Sequence, residues 1–302
     1  MQSAEIGELA KQEKTYWWHV SRRVILQSVL SHHAKFISAS FHCHPGPTGQ
    51  RPSSDSGSRP GFPIESGMTV MNILDVGCGT GENFKWLQNF GEVTGVDSSE
   101  VSVALANSVV CPTSNAAGVD YFIPRAQPRP GRAQSRGYIS EQVVLGRAED
   151  LPVEDKEFDL VTAFDVLEHV TDERRVLGEW GRVLSLGGLL FISVPAYQWL
   201  FGPHDRALMH YRRYNLSGLI KLLKDNGWQP LFSSYIFCLT FPLFLCQRWL
   251  AKFSRRDAQQ YIAVPPWINS ILIGLGKLEA SWLRFGKLPF GSSIVVLARK
   301  ND

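Results

Sequence analysis

The chain is poor in cysteine, has little net charge and begins without an apolar leader, and each shortage argues against a class of protein. Its five cysteines, Cys43, Cys78, Cys111, Cys238 and Cys246, are odd in number, scattered, and never spaced as CxxC. That pattern argues against a disulfide framework or a four-cysteine zinc site, and for a reducing compartment such as the cytoplasm. The formal charge is only +3, from 31 basic and 28 acidic residues, which argues against a nucleic-acid partner unless the bases cluster. The opening residues MQSAEIGELAKQEK lack the apolar run of a secretory signal. Internal repeats are absent as well. What remains is a core-forming composition, 44% hydrophobic and 20% charged over 302 residues. This suits one large α/β domain with additions, or two modest domains.

Two stretches interrupt the patterning. Ala39–Gly67 and Cys111–Gln142 are rich in Pro, Gly and Ser or Arg and lack apolar periodicity, so both are expected to be surface insertions. Val119–Ile123 could form a short strand within the second. Around them strands and helices alternate. Strands are expected at Val70–Val76, Glu92–Val96, Val143–Leu145, Phe158–Phe164, Leu189–Val194, Pro230–Ile236 and Ile294–Ala298. Helices are expected at Glu82–Asn89, at Glu100–Asn107 with Ser98 or Ser99 as cap, and at Glu173–Leu184 ended by Gly187–Gly188. Another starts at Asn215 and stops at Gly227. Such alternation predicts a parallel sheet covered on both faces.

The most informative segment is Ile73–Gly81, ILDVGCGTG, a strand running into three alternating glycines. Glycines there let the backbone turn sharply and approach a ligand. Asp97 ends the next strand, 97 − 77 = 20 positions after Gly77, where a carboxylate can accept both hydroxyls of a ribose. A dinucleotide site wants G-x-G-x-x-G, but its last glycine falls on Glu82 here. Asp75, just before the glycines, is also badly placed for a pyrophosphate. It suits a cofactor bearing an ammonium and a sulfonium, which is S-adenosylmethionine.

The segments LDVGCGTG (Leu74–Gly81), VTGVDSS (Val93–Ser99), AEDLPVEDKEFDLV (Ala148–Val161), DVLEHV (Asp165–Val170) and LGGLLFISVP (Leu186–Pro195) together resemble the class I S-adenosylmethionine-dependent methyltransferases of the broad type 11, small-molecule group. The resemblance covers most of Val70–Trp228. It implies a Rossmann-like, doubly wound, mostly parallel α/β sheet of seven strands. An N-terminal helical lid (1–38) and the flexible insertion 39–67 would precede a cofactor-binding core (68–228, with loop insertion 111–142). The C-terminal strands (229–302) would carry an apolar helical insertion. In the family, residues matching Asp75, Gly77, Cys78, Gly79 and Gly81 wrap the methionyl part of the cofactor. Those matching Asp97 and Ser98 meet the ribose, Ala148 and Glu149 border the adenine, and Asp165 approaches the amino-acid end. Arg147 departs from the family pattern and leaves the adenine contact to Glu149 or backbone amides. The WWHVSRR segment (Trp17–Arg23) resembles a helix that precedes the core in relatives and is expected either to lid the cofactor or to pack on the sheet.

Methyl transfer is an in-line displacement that needs alignment and, for oxygen or nitrogen acceptors, one proton transfer. Candidate bases or acceptor contacts are His204 and His210, which follow the fifth strand in PHDRALMHYRRY; His169 is expected to be structural. The cluster His32, His33, His42, Cys43 and His44 lacks a recognised zinc spacing, so no metal site is expected. Arg125, Arg129, Arg132 and Arg136 are expected to lie on a solvated loop.

Asn226–Gln247 and Ala258–Gly276 are uncharged or nearly so and approach the length of a bilayer span, but Pro242, Pro265 and Pro266 interrupt them. They could pack as core, contact a second copy, line a cleft for a lipid-like acceptor, or meet a membrane peripherally through 231–285. The function expected is methyl transfer to a small-molecule or lipid-like acceptor. Two alternatives are a non-catalytic cofactor-binding partner protein and a dinucleotide-dependent oxidoreductase.

Overall fold

A computed structural model describes residues 15–41, 71–110, 143–251 and 264–301. The expected insertions lie largely outside these residues, as do Val119–Ile123, the arginine run 125–136 and His42, Cys43 and His44. A long helix α1 (Trp17–Phe41) comes first, then β1 (Met71–Val76), a single turn α2 (Phe84–Leu87), β2 (Gly91–Asp97), α3 (Glu100–Val110) and β3 (Val143–Leu145). The second half runs β4 (Phe158–Phe164), α4 (Glu173–Val183), β5 (Leu184–Pro195), α5 (Pro203–Ala207), α6 (Leu216–Asp225) and β6 (Trp228–Ile236). It ends with α7 (Phe241–Ala251), α8 (Pro266–Trp282) and β7 (Ser293–Lys300).

The strands form one seven-stranded sheet in the order β3-β2-β1-β4-β5-β7-β6. Pairings from β3 to β5 are parallel, and β7 runs antiparallel to both β5 and β6. Because the chain leaves β1 toward β2 on one side and returns to β4 on the other, the crevice beyond β1 is the place where such sheets receive ligands. Apolar side chains alternate to both faces of the buried strands and meet two separate layers. On one face Ile73, Leu160 and Phe191 pack with Ile25, Leu26, Val29 and Leu30 of α1, Leu87 of α2, and Ala280 of α8. On the other, Leu74, Val161 and Ile192 meet Val176, Leu177 and Trp180 of α4 and Leu219 and Leu223 of α6.

Most helix ends follow the expected side-chain chemistry. Asn215 accepts the Gly218 amide at 2.6 Å, Asp172 accepts the Arg174 and Arg175 amides, and Ser99 rather than Ser98 accepts the Ser102 amide at 3.3 Å. Two expectations need correction. The helix after the glycine loop is only one turn instead of Glu82–Asn89. Gly187–Gly188 do not end α4: the helix stops at Val183, β5 begins at Leu184, and the glycines form an irregularity where the β4 pairing jumps from Phe158–Leu184 to Leu160–Leu189. Leu184 is fully buried, so continuing the chain as a strand covers an apolar side chain. Gly187, at φ +70°, supplies the left-handed residue that this irregularity requires.

The apolar third of the chain is inserted between the antiparallel partners β6 and β7. Its α8 crosses α1 tightly: a Cβ on Gly276 would lie 2.4 Å from Ser21 Oγ. Asn269 of α8 accepts the Trp17 amide at 2.8 Å and donates to the Thr15 carbonyl at 3.0 Å, tying down the start of α1. Glu279, also on α8, is buried and accepts the amides of Phe237 and Leu239. It thereby holds the turn after β6, where Phe237 takes φ +63°. Among the described residues no helix is long and apolar enough to cross a membrane.

Candidate functional site

The three loop glycines all take positive φ: +67° at Gly77, +56° at Gly79 and +78° at Gly81. Gly77 also has no room for a side chain, since a Cβ would sit 2.5 Å from Val166 Cγ2. The loop amides are turned inward. Gly77 and Cys78 both donate to the Val96 carbonyl, at 2.7 and 3.2 Å, and Gly81 donates to the Cys78 carbonyl at 3.0 Å. The Gly79 amide donates to Asp97 Oδ2 at 2.8 Å, while Asp97 Oδ1 accepts the Ser99 amide at 2.9 Å. Asp97 therefore clamps the loop to the end of β2, yet remains partly open to solvent with lone pairs to spare.

Two expected site residues are placed differently from the sequence reading. The Cys78 side chain is buried against Gly95, whose missing Cβ makes the space, so Cys78 offers the loop only backbone. Burial pushes its thiol well above the usual range, and the Asp75 and Asp97 charges add to this. Asp75 is also fully buried beneath the loop. Its Oδ1 accepts from Thr162 Oγ1 at 2.6 Å and its Oδ2 has no hydrogen-bond partner among the described residues. Burial raises its pKa to about 7, against the pull of Thr162, Asn83 and Arg22. It lies beneath the loop, bonded to Thr162 of β4.

Above the loop lies the N-terminal end of α1, while Ile25, Leu26, Val29 and Leu30 farther along the helix pack on the sheet. Arg22 pairs with Asp165, and Arg23 pairs with Glu82 at 3.2 Å. His19 is buried beside them; desolvation, then the Arg22 and Arg23 charges, lower its pKa to about 3. It is neutral at any ordinary pH. Between His19, Arg22, Gly79, Asn83 and Phe164 remains a cavity of about 80 Å³, room for two or three waters. A wider opening of about 410 Å³ flanks it, between Val20, Val24 and Gln27 of α1 and Lys85 and Trp86. His19, Arg22, Arg23 and Glu82 escaped the sequence reading as site residues; the WWHVSRR resemblance was the only signal for the first three, and Glu82 had none beyond its place just after Gly81.

Asp165 takes φ +57°, an uncommon conformation for a non-glycine residue, and Ser193 holds it through backbone and side chain at 2.9 and 3.4 Å. Beyond it, His169 and His210 meet edge to face at 4.5 Å. His210 Nδ1 faces Asp205 Oδ1 at 3.3 Å. Asp205 is buried and also accepts from Arg213 Nε at 2.7 Å and the Gly202 amide at 2.8 Å. Burial opposes its ionisation, but His210, Arg213 and Arg248 prevail and hold its pKa well below the usual range. His204 is half-buried on α5 and lies outside this cluster. On the β3 side, Ala148 is half-buried, Ser98 is exposed, and Glu149 is bound by the exposed Arg147. Burial raises the Glu149 pKa, yet the Arg147 hydrogen bond and charge outweigh it and the net shift is downward.

Chemically, the site offers carboxylates and few free donors. Glu82, Asp97 and Asp165 surround a loop whose Gly77, Cys78, Gly79 and Gly81 amides are already used, and the following helix has only four residues. A pyrophosphate needs free amides and a helix dipole. This arrangement fits a cationic ligand that also carries hydroxyls.

Residues 74–192 match the protein family described as "Methyltransferase domain". Over 162 residues the chain is 28% identical to a "Probable S-adenosylmethionine-dependent methyltransferase" of Mycobacterium tuberculosis, covering 53% of this chain and 49% of that one. Over 204 residues it is 24% identical to a protein of similar description from Mycolicibacterium smegmatis, covering 67% and 68%. Over 129 residues it is 31% identical to a ubiquinone biosynthesis O-methyltransferase of Pseudomonas paraeruginosa, covering 42% and 46%. The match thus spans about half the length of the first of these relatives.

The buried Asp75 makes stability depend on pH. Its pKa is raised from 3.8 to about 7 on folding, so the protonated form is favoured in the native state. The associated stability is full below about pH 4 and is lost as pH rises toward 7, on the order of 4 kcal/mol in all. Asp75→Asn should abolish that part of the pH dependence. Urea denaturation of both proteins from pH 4 to 8 checks this; parallel curves would show that Asp75 titrates normally.

Proposed function

From the premise that residues 74–192 are a class I S-adenosylmethionine-dependent methyltransferase domain, with S-adenosylmethionine as its cofactor, we propose that the chain transfers that methyl group to a small acceptor of lipid-like character. The observation that carries the cofactor part is the ring of carboxylates around a loop with its amides already paired. Asp97 accepts the ribose hydroxyls, with Ser98 beside it. Gly77, Gly79 and Gly81 keep the backbone close to the methionyl chain. Asp165 takes the ammonium, a role now filled by the Arg22 guanidinium. Ala148 and Glu149 border the adenine. The N-terminal end of α1 shifts to admit the cofactor, because the present cavity of about 80 Å³ is too small for a nucleoside. The acceptor's lone pair then attacks the methyl carbon, the carbon–sulfur electrons return to sulfur, and any acceptor proton leaves to a base or water. No protein nucleophile is needed. The acceptor enters from the side of His210, the better placed of the two expected histidines.

A dinucleotide-dependent oxidoreductase fits less well, since the loop lacks both the last glycine and free amides. A non-catalytic binder would take up the cofactor without releasing S-adenosylhomocysteine in the presence of any acceptor. For the ribose role, Asp97→Ala should weaken S-adenosylhomocysteine binding by roughly 30- to 1000-fold, or about 2–4 kcal/mol, in calorimetry. Circular dichroism must first show the variant folded, because Asp97 also anchors Gly79 and Ser99. Unchanged affinity in a folded variant would remove the assignment.

The lipid-like character of the acceptor and a peripheral membrane contact rest on α8. Phe241, within the stretch 231–285, is buried, and Phe244 is half-buried against Phe241, Arg213 and Arg248. The exposed large apolar residues of α8 are Trp267, Ile271, Leu278 and Trp282, with Phe285 just beyond at 89% exposure. Lys277, Arg284 and Lys287 are exposed beside them, and Glu279, an acid on this helix, points inward. An apolar and cationic helix face suits an anionic bilayer surface. Sedimentation with vesicles containing phosphatidylserine should carry the chain down at low salt and release it at high salt. Trp282→Ser with Phe285→Ser should abolish the binding and leave the fold intact. A wild type that stays in the supernatant at low salt would end this reading.

A further inference from the structure

We propose that Glu168, His169 and His210 form a binding site for a divalent first-row transition cation, with Asp205 orienting His210. One ligating atom from each of the three lies within 4.8 Å of the others. Around a cation, bonds of about 2.1 Å place neighbouring ligand atoms roughly 3 to 3.5 Å apart, so small side-chain rotations close the site.

The second observation is Glu168 itself. Its side chain is completely buried, and neither carboxylate oxygen has a hydrogen-bond partner among the described residues. A buried carboxylate without a hydrogen-bond partner is expensive, and the Arg22 and Arg213 charges nearby offset only part of that cost. Arg22 is committed to Asp165 and Arg213 to Asp205, while the Asp165 carboxylate adds repulsion. A cation between the two histidines supplies what this carboxylate lacks.

The histidines are held as metal-ligating imidazoles usually are, with the second ring nitrogen engaged by protein oxygen. His210 Nδ1 faces Asp205 Oδ1 at 3.3 Å, which leaves Nε2 for the cluster. His169 hydrogen-bonds the Met209 backbone carbonyl. The segment carrying His210 is itself fixed: Met209 takes φ +59°, the His210 amide donates to the Asp205 carbonyl, and the Tyr211 amide donates to the Glu168 carbonyl, both at 2.8 Å. Two imidazoles and one carboxylate suit Mn²⁺, Fe²⁺, Co²⁺ or Zn²⁺ better than the oxygen-seeking Mg²⁺ or Ca²⁺. Three protein ligands leave coordination positions open. An acceptor hydroxyl bound there would be acidified next to Asp165, which points to an oxygen acceptor. Only that last step rests on the methyl-transfer reading; the cation site stands apart from it.

The test is a titration of the metal-stripped full chain with Co²⁺, followed by visible absorption and by calorimetry, without cofactor. The wild type should take up one equivalent. Glu168→Gln and His169→Ala should each weaken binding at least tenfold, and Mg²⁺ should not compete. His169 is exposed, so its truncation leaves the fold intact even if Glu168→Gln does not fold. Absence of stoichiometric Co²⁺ binding by the wild type overturns the proposal. So does unchanged affinity in the folded variants, which would place the metal at other histidines. Binding of S-adenosylhomocysteine, measured separately on the same protein, reports the cofactor reading and leaves the two outcomes distinguishable.

Discussion

The geometry of the site hangs on the Asp97 carboxylate and the two amides it accepts, Gly79 from the glycine loop and Ser99 from the start of α3. Without that clamp the only hydrogen bonds from the loop between β1 and α2 to β2, among the described residues, would be those to the Val96 carbonyl. With it, the ends of β1 and β2 become one rigid rim, and the loop amides are consumed in holding the rim together. The chemistry follows from what is left over: outward-facing carboxylates in place of outward-facing N–H groups. Two of them, Asp165 and Glu82, currently hold the guanidinium groups of α1. That helix is at once part of the sheet's apolar cover and the partner of two carboxylates beside the glycine loop.

Much of this was legible in the sequence. The strand and glycine pattern of Leu74–Gly81 and the acid at Asp97 located the crevice, because local backbone requirements and a strand end are written in adjacent residues. The strand order was legible only through resemblance, since which strands become neighbours depends on long-range packing. Other features were hidden for physical reasons. Asp75 precedes the glycines, and period-two alternation along β1 turns its side chain beneath the loop, onto Thr162 of β4, which the adjacent residues do not announce. Cys78 faces the core because Gly95 on the neighbouring strand leaves a space for it. The Glu168, His169 and His210 cluster has no sequence spacing to betray it, because α4, β5 and α5 separate its parts and only the fold brings them together.

The apolar C-terminal third divides in a way that composition alone could not show. α8 is apolar around its circumference, so hydrophobicity does not reveal which side is buried. Gly276 decides it: its missing side chain lets α1 approach, which turns Leu272, Glu279, Ala280 and Leu283 inward and leaves the tryptophans at 267 and 282 outside. Glu279 then gains the buried amides of Phe237 and Leu239 as partners and fixes the exit from β6. The same insertion thus completes the core, anchors the start of α1 and presents an apolar outer face.

Ligand choice by the carboxylate-rimmed crevice is the centre of this account, and thermal unfolding of the unmodified chain with saturating S-adenosylhomocysteine or saturating NAD tests it most directly. A ligand that binds only the native state raises the transition by an amount set by its concentration over its Kd, about 2.7 kcal/mol at a hundredfold excess. The account predicts a clear upward shift with S-adenosylhomocysteine and none with NAD. A shift with NAD, with S-adenosylhomocysteine inert, would contradict it.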